Sequence, residues 1–538
     1  MDQKVSPQLY EDIYMMLNQP NLNEVSKSFP NLTWNLGSEI REYFSQREMK
    51  ILNLNSLTVN DERLLEELKI DKSNLQLIRY NNRALENLYI NSFNSSKNRI
   101  ELTNNVRANI SEKTKASPHY IRDKVIFQQS IVETKYIYTI CPFSGEILRS
   151  NQSFYINVPI VAFYRFVSKE VFYLLVTDEV GLKRYIYFPI PNLLVKLENT
   201  NQDRAIKSQI LRFQVASVVR WKKIKSYISN NEDKKLVALI SSHNNLAHYV
   251  YNELTAIHRF LQNNILNKID YFLVGPYEHI DFEKLFPEVS KDKIIKINEN
   301  KSISDFIIDN NCIAVRFTDC FIRQDLIDRI YNLSVKKYNP NLSSEIQEAK
   351  KLFPLLWISI RTHNVVWVSH VEGISQIIKK LHLDYPNLGV IFNGWPGAEK
   401  SYPKMEQMIS QEKSLVKEIV NLIPSEVKWY DIIGCNVYES IVWGRAANVF
   451  MGNQSANTFV YMIFISSNPG IIYGNKTFSI HDERLFSFRE NPVSKIRQIP
   501  RQYITDVENI GSHSNWDCDW QVIYKKLKEV IDDIGKKS

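Results

Sequence analysis

KLVALI (235–240), YFLVG (271–275), KIIKI (293–297) and CIAVRF (312–317), then LWISIR (356–361), LGVIFNG (388–394), NVFMG (448–452) and GIIYG (470–474), decide the fold of this chain. Each run is short and apolar, and a helix-length or turn-rich segment separates it from the next. Such runs read as strands covered on both faces, the way a parallel sheet flanked by crossover helices looks in sequence. A helical stretch around 323–350 divides the eight runs into two series, so the pattern predicts an α/β protein with two Rossmann-like domains in succession. The expected bounds are 233–350 for the first and 351–510 for the second, with a closing helix in 511–538.

Upstream the character changes. Residues 1–122 are rich in Asn, Ser, Glu and Leu and read as a helical N-terminal region. In VNDERLLEEL (59–68), Asp61 and its acidic neighbours mark a helix start. Residues 123–232 read as a β-rich region followed by a basic linker helix. KVIFQQSIVETKYIYTI, SFYINVPIVAFYRFV, VFYLLVTDEV and RYIYFPI are β-branched and aromatic runs that predict an antiparallel sheet of four to six strands. The helix over 202–230 carries Arg204, Lys207, Arg212, Arg220, Lys222, Lys223 and Lys225 opposite Ile206, Ile210, Phe213, Ile224 and Ile228. A basic amphipathic helix of this kind packs on a core or lies on a membrane surface, and the core is the commoner use.

The chain has 538 residues, 44% of them hydrophobic and 12% aromatic, enough to fill several cores. Its net charge of +8 is mild for this length, and no aromatic-interleaved basic stripe points to nucleic acid. The five cysteines (Cys141, Cys312, Cys320, Cys435, Cys518) are scattered and odd in number, which fits a reducing compartment without a disulfide framework. No leader-like N-terminus is visible and no apolar run approaches the roughly 18 residues of a membrane span. The expected location is therefore cytoplasmic, with peripheral contact at the inner face of a membrane left open.

Ligands of open α/β sheets bind beyond the carboxyl ends of the strands, so the chemistry is sought there. The first such stretch, SSHNNLAHYVYNEL (241–254), brings His243 and His248 into a polar loop entering a helix, with Glu253 just beyond. An imidazole there can take a proton from a hydroxyl, although a loop histidine is as often a packing residue. The second, ISIRTHNVVW (358–367), ends a strand on Arg361, whose planar fork suits a diphosphate; His363 adds a donor. In the third, MGNQSANTF (451–459), a strand gives way to a small polar loop, Asn453, Gln454, Ser455, Ala456 and Asn457, and then an apolar helix. Such a turn offers backbone N–H groups to an anion, and capping by Ser455 or Asn457 would orient the same amides. Neither GxxxxGK[ST] nor GxGxxG is present. A fourth, NGWPG (393–397), sets Asn393 and Gly394 beside a tryptophan able to stack on a nucleobase or to fill a tight loop.

In order and spacing these stretches resemble glycosyltransferase family 61 and its bacterial relatives, inverting sugar transferases of the GT-B type. The family's His-aromatic-x-x-Asp-Glu-Leu stretch is matched by His248-Tyr-Val-Tyr-Asn252-Glu253-Leu254, and its Ile-x-Arg strand end by Ile358-Ser-Ile-Arg361. Its strand-Gly-loop-helix-Pro-Gly arrangement is matched by Gly452 to Thr458, FVYMIFI (459–465) and Pro469-Gly470. The chain departs from the family at Asn252, which replaces an acid, and in the loop after Gly452, which lacks the His and the second Gly. The likeness spans about 235–480.

The resemblance implies transfer of a hexosyl or N-acetylhexosaminyl group from a nucleotide-sugar, UDP-linked, to a hydroxyl of a glycan, glycolipid or protein acceptor, as in surface polysaccharide synthesis. It implies His248, or His243, with Glu253 on the catalytic side, and Arg361, His363, Asn393, Gly394 and the 453–457 loop on the donor. The first domain would take the acceptor and the second the nucleotide. No metal or other cofactor is implied, and the one Asp-x-Asp, Asp517-Cys518-Asp519, reads as a helix cap. Two rival expectations are a non-catalytic carbohydrate-binding or scaffold protein on the same fold and a sugar-nucleotide epimerase.

Overall fold

A computed structural model of the chain describes residues 6–22, 28–79, 83–94, 127–155, 161–177, 182–198, 202–241, 245–297, 302–319, 321–397, 403–477, 489–491, 496–507 and 514–536. These fold into two compact units. The first comprises Met1–Asn244, Asn252–Glu278 and Glu288–Cys320; the second comprises Asn245–Tyr251, His279–Pro287 and Phe321–Ser538.

The first unit holds two sheets. Strands β1 (Lys50–Asn53), β4 (Ser153–Tyr155), β5 (Val161–Val167), β6 (Val171–Thr177), β7 (Leu182–Phe188) and β8 (Leu193–Lys196) form a six-stranded sheet in the order β1-β8-β7-β6-β5-β4. It is antiparallel except where β1 runs parallel to β8. A separate hairpin joins β2 (Ile137–Ile140) to β3 (Ile147–Ser150). The antiparallel sheet expected upstream is therefore present, with one correction: Phe127–Thr134 is a helix, not a strand. Polar residues interrupt the run, and they serve tertiary contacts. Gln128 receives the Thr318 backbone N–H at 2.7 Å, and Glu86 receives that of Ser130 at 2.7 Å.

The basic stretch makes two helices, Asp203–Val219 and Trp221–Ser229. Ile206, Ile210, Phe213, Ile224 and Ile228 are all buried, and Phe213 stacks on Phe163 of β5 at 4.7 Å. The apolar face is thus spent on the core of this unit. No helix among the described residues is long and apolar enough to cross a membrane. Further upstream, the helix Val59–Glu67 starts in a capping box, with Thr58 as the cap and Asp61 as its reciprocal partner.

The second sheet of this unit is the first parallel one: β9 (Lys235–Ile240), β10 (Tyr271–Val274), β11 (Ile294–Lys296) and β12 (Cys312–Val315), in the order β11-β10-β9-β12. Its edge strand β12 would leave backbone groups unpaired. Side chains close them. Ser153 Oγ accepts from Ala314 N at 2.8 Å, and Tyr155 and Tyr164 donate to Ala314 O at 3.3 Å. Tyr227 donates to Cys312 O at 2.7 Å.

The second unit is built on β13 (Leu355–Ser359), β14 (Gly389–Asn393), β15 (Lys428–Asp431), β16 (Val449–Asn453), β17 (Gly470–Tyr473) and β18 (Ile496–Gln498). All are parallel, in the order β15-β14-β13-β16-β17-β18. The central strands are wholly buried, and the core is aliphatic with Trp367 and Trp516 stacked 5.9 Å apart. Helices Gln324–Lys337 and Ser343–Ala349 belong to this unit, so the contact boundary lies at 320/321, not at the 350/351 expected from the strand series. The closing helix is Trp520–Gly535, capped by Asp519, which accepts from Gln521 N at 2.9 Å.

Candidate functional site

In the second unit the chain runs outward through β13, β14 and β15, then returns to lay β16 on the other side of β13. The connections that leave β13 and β16 go opposite ways, which opens a crevice at their carboxyl ends. Residues of the second, third and fourth stretches converge there.

Arg361 follows β13. It is half-buried, and its Nε donates to the His363 carbonyl at 2.9 Å. Its terminal nitrogens have no partner among the described residues. Burial pulls its pKa below the usual range, opposed by the charge of Glu412. The His363 ring lies edge-on to Trp395 at 5.0 Å. Asn393 ends β14 opposite Ser359 and is 1% exposed, and neither side-chain polar atom finds a partner among the described residues. Leaving such an amide unsatisfied costs about 1–3 kcal/mol.

Glu412 escaped the sequence reading. It lies on the helix Pro403–Leu422 and is buried beneath the turn after β14. Its Oε2 accepts the Trp395 backbone N–H at 2.6 Å, and it fills the space that a Cβ on Gly394 would need. Burial pushes its pKa up to about 7, against the opposing pull of that hydrogen bond and of Arg361. A signal existed. Met405, Ile409, Glu412, Val416 and Ile419 recur at helical spacing, so the acid stands in the middle of an apolar stripe.

The third stretch follows β16. Gly452 permits close packing, since a Cβ there would lie 2.7 Å from Thr458 Oγ1 and 3.1 Å from Ser359 Oγ. Ser455 caps the helix, accepting from Thr458 N at 3.3 Å, while Asn457 Nδ2 reaches across to Gly394 O at 2.7 Å. Gln454 N is bonded to Tyr473 O at 3.2 Å, and Ala456 is half-buried at the helix start. Asn453 is buried, with Oδ1 unpartnered among the described residues. From Thr458 to Ser466 the helix is wound as a π-helix, a rare form that gathers at functional sites.

The first stretch divides. Asn245–Tyr251 belongs to the second unit. There Asn245 caps the short turn Leu246–His248, that turn packs on the helix Thr458–Ser466, and Tyr251 stacks on Phe464 at 5.0 Å. His248 is half-buried in this turn, while His243 lies outside the described residues. Glu253, in the first unit, is fully buried, and both of its oxygens are committed. Oε1 accepts from Arg316 Nε at 2.7 Å and Oε2 from Ser241 N at 2.6 Å, which ties the ends of β9 and β12 together. Asn252 makes a second tie, donating from Nδ2 to Asp319 O at 2.9 Å. These are the interactions of a latch. Tyr249–Leu254 is again π-wound. Among the described residues no group of three or more His, Cys, Asp or Glu side chains is placed to hold a metal ion.

No protein-family model and no curated protein matches the chain. Similarity to solved structures exists at low identity. A glycosyl transferase family 9 protein from Veillonella parvula is 11% identical over 57% of this chain and 100% of its own, with a TM-score of 0.34. ADP-heptose lps heptosyltransferase II from E. coli is 9% identical over 56% of this chain and 100% of its own, at 0.29. A UDP-GlcNAc 2-epimerase from Methanocaldococcus jannaschii is 11% identical over 63% and 78%, at 0.27. Similarity at this level names no family, and the assignment of two Rossmann-like parallel sheets rests on the strand order itself.

Proposed function

We propose that the protein is a glycosyltransferase of the GT-B type that moves a sugar from a UDP-linked donor to a hydroxyl acceptor with inversion. One observation carries the reading: at the switch point of the second sheet, the guanidinium of Arg361 keeps its terminal nitrogens uncommitted next to the turn after β14. An arginine kept partly out of water and, among the described residues, without a carboxylate in hydrogen-bond contact is suited to receive an anionic ligand. Beside it, Asn457 ties the Ser455-capped helix start to the same turn, adding backbone N–H groups for a phosphate. Half-buried Trp395 offers a face for a base or sugar.

In this reading Arg361 and the helix start balance the charge that builds on the departing diphosphate, so the chain itself supplies what a divalent cation would. His248 takes the acceptor's proton, with His243 as the other candidate. Glu253, held on both oxygens, keeps the strand ends in place. The acceptor is a glycan, glycolipid or protein hydroxyl.

The test is nucleotide release from a panel of UDP-sugars, with product analysis to separate transfer from epimerisation, which frees no nucleotide. Arg361→Ala should cut turnover by about two orders of magnitude, the scale for removing one electrostatic stabiliser. A folded variant with undiminished turnover would move Arg361 out of the site and remove the main support for the proposal.

A further inference from the structure

Among the described residues, Glu412 is a buried carboxylate with no cation in hydrogen-bond contact, and the positive group acting on it is the same Arg361 that the donor's phosphates would engage. We infer that binding of a nucleotide-sugar diphosphate at Arg361 drives uptake of a proton by Glu412, which couples donor affinity to pH. The inference rests on the donor-site reading above and deepens it.

The physical argument is one of shared charge. Glu412 is 1% exposed, so its ionised form relies on two compensations: the Trp395 N–H at 2.6 Å and the field of Arg361. A pyrophosphate diester brings two negative charges to Arg361. It takes up that field and adds like charge above a carboxylate that water cannot reach. The hydrogen bond from Trp395 survives protonation, because the second oxygen can carry the proton. The neutral acid is then the favoured form in the complex.

The other titratable groups on the elements around it include His363 on the loop after β13, Lys413 on its own helix, Asp431 and Cys435 flanking the turn after β15, and Glu439 beyond that turn. None of these contributes to the balance at Glu412 alongside burial, Trp395 and Arg361. Burial already holds the group up to about 7 before any ligand arrives, so the change falls in the neutral range. Gly394 is part of the device: with no Cβ it lets the carboxylate sit directly beneath the 394–395 backbone.

The measurement is titration calorimetry of UDP-glucose and UDP-N-acetylglucosamine on the full chain, in buffers of different ionisation enthalpy between pH 6.5 and 8.5. These donors are diphosphate diesters with no neutral-range proton of their own, so proton uptake reports the protein. The expected result is net uptake that grows from pH 6.5 to 8, with affinity falling by up to about tenfold per pH unit above pH 7. Glu412→Gln should bind with affinity independent of pH and without uptake, and its melting curve checks that it is folded. The wild-type uptake stands as a test if that variant does not fold. Binding that is weakened in Arg361→Ala yet shows no proton uptake in the wild type overturns the coupling and leaves the donor site standing. No binding of either donor overturns both.

Discussion

A carboxylate that folding takes out of water costs stability only while it is charged, and the first unit contains such a group, with the charge of Arg259 offsetting only part of that cost. Glu86 is 1% exposed, and burial pushes its pKa up to about 8, against the hydrogen bond it accepts from Ser130 N at 2.7 Å. The unfolded chain holds that proton less tightly, with a carboxyl pKa near about 4.3. Between these values the native state binds more protons than the unfolded one, so stability falls as pH rises from about 4.5 to 8 and levels off above. Glu86→Gln keeps an acceptor for Ser130 N and removes the ionisation. Its advantage over the wild type should be near zero at pH 4.5 and reach a few kcal/mol above pH 8, measured by urea unfolding across that range. Parallel stability curves for the two proteins would show that folding leaves the pKa of Glu86 where it is in the unfolded chain. The same physics acts on Glu412 but to a different end, because there a ligand-binding arginine shares the balance.

At the level of elements, the strands buried on both faces were legible because period and composition agree in them. β9, β10, β12, β14 and β17 lie within the apolar runs, and β13 and β16 overrun theirs by one residue each, Leu355 and Asn453. β15, KWYD, was not, since at the edge of the sheet Lys428 and Trp429 face solvent and no apolar run forms. The winding of Tyr249–Leu254 and Thr458–Ser466 was also hidden: π and α turns demand the same apolar residues and differ only in which carbonyl each N–H finds. In the site, Arg361 and the 453–457 loop could be read from position at a strand end, whereas Glu412 looked like any acid on a surface helix until the stripe around it was counted. Gly452 shows how an element depends on one residue. A methyl group there would meet Thr458 at 2.7–2.8 Å and must push the helix away from β16. Gly452→Ala should cost about 1–3 kcal/mol of stability, the range for overpacking a tight contact. It should also weaken UDP-sugar binding, because Ser455 and Asn457 ride on that helix start. Unchanged melting temperature and affinity would mean that the contact relaxes freely.

On the scale of the whole molecule, both parallel sheets place a switch point at a strand followed by a partly π-wound helix: β9 before Leu246–Gln262, and β16 before Thr458–Ser466. The two ends are furnished differently. At the first, Glu253 and Arg316 neutralise each other at 2.7 Å, so that end has spent its charges on holding itself together. At the second, among the described residues, Arg361 makes one bond to a backbone carbonyl, and the amide of Asn393 makes none. A nucleotide-sugar should therefore bind and stiffen one unit, not both. With UDP-glucose or UDP-N-acetylglucosamine at about a hundred times its Kd, linkage gives about 2.7 kcal/mol of stabilisation. Amide exchange should slow at 361–363, 393–397 and 453–459. It should be unchanged in β5–β7 of the mixed sheet, whose core is closed by its own aromatic stacking and has no part in the site. The short turn Leu246–His248 is the informative exception. It packs on the helix Thr458–Ser466 and should gain protection with the donor loop, although in sequence it follows the first sheet's strand. Protection centred instead on the end of β9 and β12 would put the nucleotide at the latched end and reverse the assignment of donor and acceptor.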